Sequence, residues 1–235
     1  MNVEKQVKKY VNRKKRRRRA AIIASICSVG VLILVIIALN LFFVDRFTIT
    51  TNKDPALCLT LDKEQYTTEL HAPPLLKATD TQFSDIPETI DENTGSKNTN
   101  YYFAYSFYLG AESDAPSVNY ELSMTLDKAS QALEDAMRVM IIKNNERTVY
   151  AQRNKNGNPE PIYYGEDHTS EPTIIGYTIP FKDNKHIILE PYCIVPGEFD
   201  KYTIVMWVDG WESNNSMQGG TFQANLKFST ISINN

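Results

Sequence analysis

Cysteine, histidine and tryptophan are scarce in these 235 residues, at three, three and two copies. So few cysteines exclude a disulfide-dense scaffold. His71, His168 and His186 lie far apart, without the short ligand spacing of a zinc site, so each reads as a loop or strand-end residue. Catalytic signatures are missing too: there is no HExxH helix, no GxSxG elbow and no glycine-rich phosphate loop. No DxDxDG loop is present, which leaves Glu166 with Asp167, or Glu198 with Asp200, as weak calcium candidates. The sequence therefore predicts a non-catalytic protein without a cofactor. A hydrolase or metal-dependent peptidase built from scattered residues is the remote alternative.

Charge is absent from Ala20 to Val44, 25 residues whose polar members are Ser25, Ser28 and Asn40. An apolar helix of about 20 residues crosses a bilayer core of about 30 Å. A secretory signal has a shorter apolar core and a small-residue cleavage site. Here the run closes on Leu39-Asn40-Leu41-Phe42-Phe43-Val44, bulky where a peptidase needs small side chains. An uncleaved transmembrane helix is expected over 20–44, with Cys27 a thiol among lipid tails.

The net charge of −3 hides a division. Residues 1–19 hold ten Lys and Arg against Glu4, a balance of +9, and the remaining residues carry −12. An acidic body argues against a nucleic-acid-binding domain, which needs a basic surface. The basic cluster, including Lys14, Lys15, Arg16, Arg17, Arg18 and Arg19, places the N-terminus in the cytoplasm and residues 45–235 outside. Each such cation contributes about 1 kcal/mol of attraction to anionic headgroups. The lipid bilayer is thus the first predicted partner. Hydrophobic residues make up 42%, which rules out wholesale disorder. A mean hydropathy of −0.35 rules out a polytopic membrane protein.

Residues 45–100 lack a sustained pattern, with Pro73-Pro74 breaking any helix and a polar run from Asp91 to Asn100. They read as a stalk, or as an initial strand at Ala56–Leu61 followed by a long loop. From Tyr101 the pattern sharpens. Tyr101–Leu109 alternates, with Phe103, Tyr105, Phe107 and Leu109 on one face; Val118–Leu126 puts Tyr120, Leu122, Met124 and Leu126 inward. Asp127 looks like the N-cap of a short helix over 128–137. Residues 138–151 read as a hairpin turning at Asn144-Asn145. Further strands are expected at 174–179, 186–189, 202–208 and 221–233. The predicted fold is mainly β: one N-terminal transmembrane helix, then an antiparallel, jelly-roll-like β-sandwich over 101–235 with one short helix.

Two features could bind or staple. Cys58 and Cys193 fall outside the membrane, where one disulfide between them could persist, or two separate thiols. Trp207 and Trp211 are candidate contacts of a binding surface, for example for glycan rings. Trp211 is the better one, because it sits in the turn-rich segment 209–218.

The stretch LDKASQALEDAMRVMII, and the strand KYTIVMWVDG followed by Gly219-Gly220 and a last amphipathic strand, resemble membrane-anchored surface proteins of Gram-positive bacteria and mollicutes. In layout the chain is also similar to the TasA/camelysin matrix-fibre family of secreted jelly-roll proteins. It departs from that family in its long, uncleaved anchor. The resemblance implies a cell-surface protein. Topology, strand pattern and the missing catalytic motifs point to one that binds an extracellular protein or polymer. The extended segment 45–100 with the long last strand offers an alternative role as a fibre subunit, a homo-oligomer assembled by strand addition.

Overall fold

The computed structural model describes residues 47–52, 57–72, 80–112, 117–129, 132–165, 172–213, 217, 220 and 222–234, together with 30, 32 and 33. The chain divides into two units, Met1–Asp45 and Arg46–Asn235. In the first, Gly30, Leu32 and Ile33 are helical. The rest of the predicted span, and the cluster Lys14–Arg19, lie outside the described residues. Among the described residues no helix is long and apolar enough to cross a membrane.

The second unit is mainly β. Its strands, in chain order, are β1 (Phe47–Thr51), β2 (Leu57–Thr60), β3 (Glu69–Ala72), β4 (Asp80–Thr81), β5 (Gly95–Ser96), β6 (Tyr102–Ala111), β7 (Ser117–Ala129) and β8 (Met137–Lys143). They continue with β9 (Glu146–Ala151), β10 (Pro161–Tyr164), β11 (Thr173–Tyr177), β12 (Ile179–Pro180), β13 (His186–Ile194), β14 (Phe199–Asp209) and β15 (Phe222–Asn234). A smaller sheet runs β13-β7-β15-β1-β3. A larger one runs β12-β9-β8-β14-β6-β2, with β4 and β5 added beside it, and β10-β11 forms a separate two-stranded ribbon. Most pairings are antiparallel; β1 with β15, β12 with β9, and β4 with β14 are parallel.

The two large sheets share one core. Tyr120, Leu122 and Met124 of β7 and Leu226 and Phe228 of β15 meet Phe103, Phe107 and Leu109 of β6 and Tyr202 and Ile204 of β14. Rings interlock at its centre: Phe107 stacks on Tyr202 at 5.8 Å, and the Tyr202 and Phe228 centroids are 5.1 Å apart. The expected period-2 faces of β6 and β7 are these faces.

The described residues between 47 and 100 are part of the fold rather than a stalk. The compact unit begins at Arg46, not at residue 101. Strand β1 is inserted between β15 and β3, and β2 extends the larger sheet beside β6. Leu57 and Leu59 do alternate inward, as the sequence suggested. The turn-rich segment from Phe83 to Ile90 then covers the outer face of the larger sheet. There Ile86 and Ile90 pack with Tyr102, Ala104, Met140, Val205 and Trp207 in a second core. The central strands β6, β8 and β14 of the larger sheet are therefore buried on both faces and mainly apolar on both.

The helix also differs from expectation. Strand β7 runs on to Ala129, pairing Lys128 with Gln223 and Ala129 with Phe222, so Asp127 lies within a ladder rather than at a cap. Helix is confined to Leu133–Ala136, entered through Ala132 at φ 54°. The 138–151 hairpin is as predicted. Asn144 and Asn145 take φ 48° and 74°, the left-handed pair that a two-residue turn between twisted strands demands.

Candidate functional site

The two tryptophans separate. Trp207, on β14, is 2% exposed and lies in the second core, where Phe83 tilts against it at 6.2 Å. As a binding contact Trp207 is thus corrected: alternation turns it to the outer face, and Phe83–Ile90 covers that face. Trp211 is 36% exposed and stands on the turn after β14. That turn is firmly held. Asp209 Oδ1 accepts from the Trp211 amide at 3.0 Å, Gly210 N donates to the Thr81 carbonyl at 3.1 Å, and Ser213 Oγ donates to Asp80 at 2.8 Å.

Beneath Trp211 lies a buried ion pair. Arg138 of β8 is 1% exposed, and its Nε is 3.2 Å from Asp209 Oδ2. Its Nη1 donates to the Asp135 and Met137 carbonyls. Two donors at paired positions of β8 and β14, Arg138 Nη2 and Trp207 Nε1, are buried with no acceptor among the described residues. Carboxylates outnumber the cation. Burial pushes the Asp209 pKa up, against the pull of Arg138. Burial, reinforced by Glu212, does the same at Glu160.

Tyr163 of β10 faces Trp211 with ring centroids 6.1 Å apart. Its phenol pKa is raised by desolvation and then by Glu212, Glu160 and Asp209. The result is an aromatic pair, partly exposed, beside a cluster of acids with one neutralised guanidinium. Arg138 and Glu160 were not singled out in the sequence. A signal existed for Arg138: it shares a strand face with the apolar Met140 and Ile142, and a cation on such a face needs a buried counter-charge.

Cys58 and Cys193 are both free. Leu57 and Leu59 point into the core from β2, so Cys58 between them points out of the larger sheet. Likewise Ile194 points inward from β13 and Cys193 outward from the smaller one. Facing sheets stand about 10 Å apart, beyond the Cα span of about 7 Å that a bridge tolerates. The two thiols diverge, so this fold does not join them. Burial pushes the Cys58 thiol up to about 11.

Of the calcium candidates, Asp200 is occupied otherwise. Its carboxylate is 3.1 Å from Lys143 Nζ and accepts from Tyr120 Oη at 2.9 Å and Asn144 Nδ2 at 2.7 Å. Glu166 and Asp167, like His168, lie outside the described residues. Among the described residues no three His, Cys, Asp or Glu side chains are grouped to hold a metal. His71 lies beside Glu69, and His186 beside Asp183.

No family model and no curated protein matches the chain. Among solved structures it is similar to a β-glucosidase from Kluyveromyces marxianus in complex with glucose. The likeness has 11% identity over 72% of this chain and 15% of that one, at a TM-score of 0.21, too slight to carry an argument.

Proposed function

We propose that the chain is a single-pass surface protein, anchored by residues 20–44 with its N-terminus in the cytoplasm. In this reading its jelly-roll-like sandwich binds an extracytoplasmic protein or polymer without catalysis. The charge division and the apolar run support the topology. One observation carries the binding role: Tyr164, Ile174, Ile175, Tyr177 and Ile179 are 43–66% exposed within one stretch of chain. Apolar exposure concentrated in this way marks an interaction surface. The β10-β11 ribbon bears most of it, and Tyr163 joins the ribbon to Trp211.

Protease treatment of intact cells should remove the C-terminal domain, and its survival there would refute the topology. A photocrosslinking residue at position 211 should capture an extracytoplasmic partner, whereas one at 207 should capture none. Trp211→Ala should cost about 1–2 kcal/mol, since the ring is 36% exposed and packs on Tyr163. Trp207→Ala should cost about 3–5 kcal/mol by emptying a core site.

A second reading is self-assembly by strand addition. Among the described residues β11 pairs with β10 alone, leaving one edge open beside Ile174, Ile175 and Tyr177. Electron microscopy of concentrated protein should then show fibres that Ile175→Lys abolishes.

A further inference from the structure

Around Trp211 and Tyr163 the charge is one-sided. Asp135, Glu160, Asp209 and Glu212 act on this corner of the larger sheet, and Arg138 is the cation set against them. Arg138 is already committed to Asp209 and Glu160 is buried, so Glu212, next to Trp211 on the same turn, is the half-exposed carboxylate left beside the aromatic pair. Cations are drawn to such faces by the ring quadrupole as well as by the carboxylates. Ile174, the cross-strand partner of Tyr163, adds an apolar contact that is 50% exposed. The platform is rigid, since the Trp211 turn is tied to Asp209, Thr81 and Asp80. A side chain landing there meets a preformed surface, with little ordering left to oppose binding.

We infer that the Trp211–Tyr163 face docks a basic segment of a protein partner, its ammonium or guanidinium groups on the two rings and against Glu212. This rests on the binding role proposed above and names the chemistry of the partner. An acidic segment would be repelled at the same place. A neutral glycan could stack on Trp211 but would make no use of the carboxylate excess.

The test uses the full chain in nanodiscs of neutral phosphatidylcholine, with empty discs as control. The probes are a lysine–leucine peptide, its glutamate–leucine counterpart and soluble dextran. The lysine peptide should bind, and the glutamate peptide should not. Binding should weaken at least about tenfold in Trp211→Ala and again in Glu212→Gln. Raising ionic strength from about 0.1 to 1 M, which shortens the screening length from about 10 to 3 Å, should weaken it too. Glu64→Gln, an exposed acid outside this corner, should leave it unchanged. No binding of the lysine peptide, or binding indifferent to Trp211→Ala, overturns the inference. Trp211-dependent binding of dextran or the glutamate peptide instead overturns the charge assignment while the binding role stands. Failure of position 211 to crosslink any partner on cells is what would remove that role.

Discussion

At the scale of single residues, Arg138 decides how the outer face of the larger sheet tolerates its charges. Removing one member of a buried pair strands the other in low dielectric, which costs about 3–5 kcal/mol. Arg138→Met should therefore destabilise by that amount in denaturant unfolding, because Asp209 stays buried without its cation. The double variant Arg138→Met/Asp209→Leu should recover most of the loss. It removes both charges and also the buried Nη2 that lacks an acceptor among the described residues. Glu160 behaves differently, since among the described residues no side-chain cation is bonded to it and its pKa is raised by burial and by Glu212. A carboxyl raised in the folded state holds its proton there after the unfolded chain has lost it. Stability is then greatest below the unfolded value, near 4.3 for glutamate, and falls as pH rises through the folded one. Glu160→Gln should raise the melting temperature at pH 7 and flatten the decline above pH 4. Thermal melts from about pH 4 to 7 check this; a lower melting temperature at pH 7 would show Glu160 to be a stabilising ion instead.

Among the elements, the hairpin between β8 and β9 offers the cleanest case. Its turn was legible because two asparagines between alternating strands have a specific meaning: both central residues must adopt positive φ. The two are not equivalent. Asn144 donates to Asp200 and accepts from the Lys201 amide, tying the hairpin to β14. Asn145 is exposed and serves through its backbone alone. Asn145→Gly should leave stability unchanged or raise it by up to about 1 kcal/mol, since glycine takes φ 74° without steric cost. Asn144→Ala should lower it by about 1 kcal/mol or more through two lost hydrogen bonds. Equal effects at both positions in chemical denaturation would contradict this division. Elements whose periodicity competed with a long-range ladder were less legible. Helical spacing after Asp127 lost to the pairing of Lys128 and Ala129 with β15, a partner far along the chain. Strand β13 ran five residues past its expected end at Leu189 because Pro191 sits on an edge strand, where a missing N–H can face away from the ladder.

For the whole molecule, what the sequence left unread was which weakly patterned segments belong to the fold. Short strands and turns carry little periodicity, so residues 45–100 looked like a spacer although they supply both cores. Phe47 and Ile49 of β1, and Leu57 and Leu59 of β2, are buried between the sheets; Ile86 and Ile90 close the outer face over Trp207. Each such side chain is worth about 1.5–3 kcal/mol when fully buried. Six together are comparable with the whole stability of a domain, about 5–15 kcal/mol. A chain beginning at Tyr101 would moreover strip β15 of β1 and β6 of β2, leaving two long unpaired edges flanking an open core. Residues 46–235 should accordingly unfold in one cooperative transition with near-ultraviolet dichroism from fixed tyrosines, and residues 101–235 should aggregate or remain unfolded. If 101–235 alone gave the same cooperative transition, the first two strands would be decoration. Their burial argues that they are part of the core, and the Trp211 turn depends on the same segment: it is pinned by Thr81 and Asp80, residues a shortened chain would lack.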